Sequence, residues 1–249
     1  MSGSVGNGMN KRLQGLLLLV MSLQLSGCLL NRVYAFKEQF CDYQTSFALQ
    51  IGDGVSLEMH KPVLRDTDVV WLLGAEPTIR RMVDGQLEMV YIVVKDLPQR
   101  SYDYAIPLHL RFSNTDGKAL LSMGMIDRNL SAMITPGLIE ETVSHACSST
   151  TSLAKKNVEF DLGDLDREAV PDRSQIVQAL GAPQQTLENG REIVYRFRLQ
   201  GAGPEVEKSY ARIWLEADGE AVERVRFRYL RYELDADFIA AKGSISIRM

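Results

Sequence analysis

Three histidines and three cysteines are the side chains of this 249-residue chain best suited to chemistry at neutral pH, and their spacing decides what chemistry is open to it. His60, His109 and His145 stand far apart in sequence, in no metal-ligand spacing, and none accompanies a nucleophile elbow or a glycine-rich phosphate loop. Ser144, His145 and Cys147 bring a hydroxyl, an imidazole and a thiol close together, the composition of a nucleophilic cysteine. On a helix, however, residues two apart point to different sides, and no sequence feature supplies an orienting Asn or Asp. Asp161, Asp164, Asp166 and Glu168 gather acids as a calcium loop does, but without the EF-hand spacing or its closing glutamate, so a solvated charged turn is the simpler reading. The expectation is a protein that is not an enzyme, with no metal, no cofactor and no small-molecule substrate.

Cys28 has a different setting. Lys11 and Arg12 form a short basic region, residues 13–25 are almost uncharged, and the stretch stops at Leu25-Ser26-Gly27-Cys28. The apolar run is shorter than the roughly 20 residues that cross a bilayer and right for the h-region of a signal peptide. The box before the cysteine resembles the lipobox of bacterial lipoproteins: a large aliphatic residue, two small ones, then the thiol that receives lipid. The resemblance implies cleavage before Cys28 and acylation there, with each buried methylene contributing about 0.8 kcal/mol of anchoring. Residues before Met9 fit no part of the pattern, and Met9-Asn10-Lys11-Arg12 would itself be a conventional signal start. Leu29 follows the cysteine in place of the Asp that retains lipoproteins in the inner membrane, which implies an outer-membrane anchor facing the periplasm. That compartment oxidises thiols, so the remaining pair, Cys41 and Cys147, is expected to form a disulfide. It would close a loop of about a hundred residues, for which chain entropy gives about 4 to 5 kcal/mol.

With 45% hydrophobic and 24% charged residues the chain has the composition of a folded protein, and its net charge of −4 creates no global positive field. Nucleic acid is therefore not an expected partner.

What must position any working surface is a repeated unit. The segment from Leu64 to Pro77 can be laid over that from Pro171 to Pro183, with Thr67 on Ser174 and Leu73-Gly74 on Leu180-Gly181. Thr67 and Ser174 suit helix N-caps and the glycines suit left-handed helix ends, so a short helix is predicted in each copy. In both, an Asp-Gly or Asn-Gly turn, a tyrosine-bearing strand and a further Asp-Gly follow in the same order: Asp84-Gly85, Tyr91 and Asp116-Gly117, then Asn189-Gly190, Tyr195 and Asp218-Gly219. These turns between alternating apolar runs predict a three-stranded antiparallel meander per copy. The strands are expected at about Glu88–Val94, Ala105–Ser113 and Lys118–Ile126, and at Arg191–Leu199, Lys208–Glu216 and Ala221–Glu233. Between the copies Thr135-Pro136 opens an expected helix to Cys147, and 148–152 reads as a linker.

Helix, Leu-Gly-x-Pro, a tyrosine-bearing strand and a strand ending in Asp-Gly followed by Val resemble the SmpA/OmlA lipoproteins of the β-barrel assembly machinery, and a doubled version of that fold occurs in β-lactamase inhibitor proteins. The second copy carries it best, through Leu180-Gly181-Ala182-Pro183, Tyr195 and Asp218-Gly219-Glu220-Ala221-Val222. The Gly-Met-Thr start of the first helix is replaced by Arg65-Asp66-Thr67 and Asp172-Arg173-Ser174, and that family is normally a single copy. The expectation is thus an α+β protein of two tandem domains, each of short helices packed on an antiparallel β-meander. Its divisions are a signal peptide (1–27), a lipid-anchored linker (28–44), a first domain (45–150), a second (151–240) and a C-terminal tail (241–249).

Two surfaces are candidates for function. In the second copy Arg196, Arg198, Arg224, Arg226 and Arg228 alternate with apolar residues along two strands, and Arg212 stands near them; strand side chains alternate faces, so these six would gather on one side, either as a solvated face balanced by Glu192, Glu216 and Glu223 or as an anion-docking face. In the first copy both sides of one strand are apolar, and Met89, Tyr91 and Val93 are a candidate protein interface. The leading expectation is a scaffold or assembly accessory that works by contact with an envelope protein. The alternative is a binding module for an anionic envelope ligand: phospholipid, lipopolysaccharide or peptidoglycan.

Overall fold

A computed structural model describes residues 29, 31–52, 54–96, 105–127, 150–152, 157–163, 167–201, 209–216, 219–229 and 232–247. Cys28, Cys147 and the helix expected from Thr135 to Cys147 lie outside them.

The two predicted short helices form, each ending at the expected glycine: α3 (Asp66–Leu73) at Gly74 and α4 (Arg173–Leu180) at Gly181. Gly74 takes the left-handed conformation, φ 69°, that a side chain would resist. Their starts differ from expectation, because carboxylates outcompete the hydroxyls. Asp172 Oδ1 accepts from Gln175 N at 2.8 Å while Gln175 Oε1 accepts from Asp172 N at 2.9 Å, a reciprocal capping box that leaves Ser174 inside the first turn. In α3, Asp68 Oδ2 accepts from Arg65 N at 2.8 Å, and Thr67 is likewise internal.

The strands are β1 (Phe47–Ile51), β2 (Gly54–Met59), β3 (Ile79–Val83), β4 (Gln86–Lys95), β5 (Ala105–Thr115), β6 (Lys118–Asp127), β7 (Thr150–Ser152), β8 (Asn157–Asp161), β9 (Gln185–Leu187), β10 (Glu192–Leu199), β11 (Ser209–Leu215), β12 (Val222–Tyr229), β13 (Tyr232–Asp237) and β14 (Lys242–Ile247). They form one 14-stranded sheet in the order β1-β2-β6-β5-β4-β10-β11-β12-β13-β14-β8-β7, with β3 on β4 and β9 on β10. Every pairing is antiparallel, so the protein is mostly antiparallel sheet with a few helices, an α+β arrangement.

Several segments read as connections are regular structure. The strand expected over Ala221–Glu233 divides into β12 and β13, a hairpin. The expected tail contains β14, which pairs with β13 on one side and β8 on the other, and the expected linker at 148–152 contains β7. The expected N-terminal linker is helical: α1 over 31–41 is followed by α2 (Tyr43–Ser46). Phe36, Phe40, Tyr43 and Phe47 make a ring cluster there with centroids 5.1 to 6.1 Å apart, and Arg32 forms a bidentate pair with Asp68 of α3, 2.6 Å at each contact.

The two halves of the sheet meet where Val93, Val94 and Lys95 pair with Leu199, Arg198 and Phe197. Adding 104 to a β4 number gives its β10 counterpart, as Tyr91 gives Tyr195, and the exchange maps this ladder onto itself about the Val94–Arg198 pair. It also exchanges Asp96 N donating to Arg196 O with Gln200 N donating to Ile92 O, both 2.8 Å. Thr78 Oγ1 accepts from Ile92 N and donates to Gln200 O; Gln184 accepts from Arg196 N and donates to Asp96 O, the mirrored pair of contacts. A local two-fold therefore relates β4 and β10.

One face of the sheet is the core. Met89, Tyr91, Leu110, Phe112, Ile193, Tyr195, Phe197 and Ile213 pack there with Val69 of α3 and Ile176 and Leu180 of α4. This corrects the candidate interface Met89, Tyr91 and Val93: the first two are wholly inaccessible and Val93 is buried, because this side of β4 is the one that the helices cover. The Tyr91 hydroxyl donates to Ala75 O and that of Tyr195 to Gly181 O, so each tyrosine satisfies its polar end on the loop after its own helix.

Candidate docking face

The opposite face of the sheet carries the arginines. Register places Val194 beside Arg212, Arg226 and Asp235 in one row across β10, β11, β12 and β13. The rows on either side read Glu192, Trp214, Arg224, Asp237 and Arg196, Tyr210, Arg228, Glu233, and Arg198 continues the face toward β4. All six sequence-predicted arginines are thus brought together on the side away from the helices, since residues two apart in a strand share a face.

They are not bare charges. Asp235 receives Arg224 in a fork, Nε to Oδ1 at 2.8 Å and Nη2 to Oδ2 at 2.7 Å, and also Arg226, Nη2 to Oδ2 at 2.7 Å. These bonds, Arg224's first, hold the Asp235 carboxyl below the ordinary aspartate value against the opposing effect of burial. Arg226 further approaches Glu233 at 3.8 Å, Arg212 approaches Glu192 at 3.6 Å and Arg198 approaches Asp96 at 3.9 Å; Arg196 donates to the neutral Gln185 at 3.2 Å. The guanidinium groups also lie over two aromatic rings. Arg224 and Arg226 are 5.6 and 5.9 Å from the Trp214 centroid, and Arg212 and Arg228 are 5.8 and 6.0 Å from that of Tyr210. Both rings are half-buried, and Arg228 is buried among its neighbours.

A second acid-centred cluster occupies the same face of the first half. Glu88, 3% exposed, accepts from Arg81 Nε at 2.7 Å and contacts His109 Nδ1 at 3.3 Å, with Arg111 Nε at 3.9 Å. Burial alone would raise the Glu88 carboxyl, but the bonds and charges of Arg81 and His109 bring it below the ordinary value of 4.5. Between the clusters Val90, Val94 and Val194 are buried.

The sequence reading missed Tyr210, Trp214, Glu233, Asp235 and the Glu88 cluster. The signal for the first group was present: Tyr210-x-Arg212-x-Trp214 alternates along one strand, and Glu233-x-Asp235-x-Asp237 alternates after Arg224-x-Arg226-x-Arg228. Of the cysteines only Cys41 is described, on the exposed side of α1. Among the described residues no group of three or more His, Cys, Asp or Glu side chains could hold a metal ion, and Asp161 instead accepts from Gly163 N at 2.9 Å.

No family profile, no curated protein and no solved structure matches this chain. The functional reading therefore rests on the face itself.

Proposed function

We propose that this protein is a non-enzymatic outer-membrane lipoprotein, anchored at Cys28, that works as a scaffold or assembly accessory by docking an envelope protein on the outer face of β10 to β13. The observation that carries the reading is the stack of Trp214 and Tyr210 with four guanidinium groups on the sheet face opposite α3 and α4. Trp, Tyr and Arg are the side chains that dominate protein interfaces, and here they are held in place before any partner arrives. Pre-paired Arg224 and Arg226 favour a protein partner over a free phosphate or carboxylate, which would have to displace Asp235 from bonds already made. The finer architecture we propose is two tandem SmpA/OmlA-like units, each helices on a meander. The mirrored contacts of Thr78 and Gln184 support a duplication.

Binding of an anionic envelope ligand by the same arginines is the second reading, favoured by Arg196, which is exposed and donates to the neutral Gln185. A photo-crosslinking residue at Tyr210, with exposed Gln44 as control position, separates the two in living cells. A protein adduct at Tyr210, absent at Gln44 and weakened at least about tenfold by Trp214→Ala, is expected. Adducts with lipid or glycan that disappear when Arg196, Arg198, Arg226 and Arg228 all become Gln would replace the scaffold by the anion-binding module. No adduct of either kind would contradict both.

A further inference from the structure

Helix α1 leaves only a short tether between Cys28 and the body. Arg32 is four residues after Cys28, and even fully extended chain of that length spans at most about 14 Å. Arg32 is gripped by Asp68, whose side chain is 4% exposed and which also accepts from Arg65 N. One turn on, the Phe36 and Phe40 rings seat the helix against Phe47, and Gln39 donates to Lys61 O at 2.6 Å. An acylated Cys28 resides at the boundary of headgroups and acyl chains, a zone whose polar part is roughly 5 to 8 Å deep on each side of the bilayer. The body is therefore held against the membrane rather than suspended below it.

The corner that faces the bilayer follows from the same contacts. Arg32 reaches the first turn of α3 from α1, and Arg80 of β3 reaches Asp66 in that same turn, so these three elements meet at a residue only four positions along the chain from Cys28. Each carries a large side chain exposed to solvent: Tyr34 at 62%, Trp71 at 49% and Met82 at 65%. Tyr34 and Trp71 have apolar bodies with polar tips, the kind of side chain that settles at a headgroup boundary, and Met82 adds a wholly apolar one.

We infer that Tyr34, Trp71 and Met82 form a membrane-apposed corner that rests on a phospholipid surface and fixes the orientation of the lipoprotein, and with it that of the arginine-bearing sheet face. The inference rests on the acylation proposed above. The chain contains two tryptophans, one on each surface, which makes it directly readable. Mature acylated protein is reconstituted into vesicles of phosphatidylethanolamine and phosphatidylglycerol with brominated acyl chains and recovered by flotation. The Trp214→Phe variant, which retains Trp71, should lose emission and shift to the blue relative to unbrominated vesicles. The Trp71→Phe variant, which retains Trp214, should be unchanged, and Tyr34→Trp in a chain without the other two should be quenched as well. Floated protein with Trp71 unquenched, or with both tryptophans quenched alike, overturns the membrane-apposed corner and leaves the anchor standing. Protein that carries no acyl group and does not float overturns both.

Discussion

Glu88 and Asp235 show what a carboxylate does when guanidinium groups converge on it inside a sheet face. Each is held ionised by donors on neighbouring strands, Arg81 with His109 and Arg224 with Arg226, and in return each keeps those long side chains in one geometry. Because Glu88 is nearly inaccessible while Arg81, His109 and Arg111 are a third to a half exposed, solvent screens part of the attraction but none of the cost of losing the acceptor. Glu88→Gln is expected to lower stability by about 1 to 2 kcal/mol at neutral pH. The sign with pH follows from a carboxyl whose folded value lies below 4.5: its contribution is complete above 4.5 and is lost as pH falls through the lower folded value. Chemical unfolding of parent and variant at neutral pH and again well below 4.5 checks this, and a difference that fails to shrink in acid would contradict it.

At the scale of elements, what was legible in the sequence was what local chemistry decides. The Asp-Gly turns at Asp84 and Asp116 place both residues at positive φ, as hairpins with a tight twist require, and β4, β5 and β6 lie within a few residues of expectation. Both sides of β4 are apolar and both are buried; which of them the helices cover was not legible, because only the arrival of α3 and α4 distinguishes them. Nor was α1, whose Phe36 and Phe40 find their partner Phe47 only when the chain folds back. In β14 the residues of Lys242–Ile247 carry no turn signal to separate them from a tail, and their place between β13 and β8 is decided by pairing far along the chain. The proposed Cys41–Cys147 bridge belongs to this scale, since it would tie the end of α1 to the segment beyond β6. Alkylation of folded protein is expected to label neither thiol before reduction and both after it. Labelling of both in the unreduced protein would refute the bridge.

Over the whole molecule, one sheet does two jobs. Its helix-covered side stores the core and carries α1; its other side is left to arginines, tryptophan, tyrosine and acids arranged in register across four strands. The joint between halves is built from β4 and β10 with Lys95 buried at its edge, its ammonium donating to Leu180 O at 2.9 Å and to Ala182 O, so the first half grips the helix end of the second. Burial lowers the affinity of that amine for its proton, and the local two-fold places Leu199 at the equivalent position, so the grip runs one way only. On the reading proposed above, the first helix would seat this body at a membrane and so present the arginine-bearing face beside it. All of this depends on the acyl anchor. Metabolic labelling of cells with a palmitate analogue tests it most directly: the parent chain should be labelled and processed, and Cys28→Ala should remain an unlabelled, uncleaved precursor. Equal labelling of the two would end the lipoprotein account.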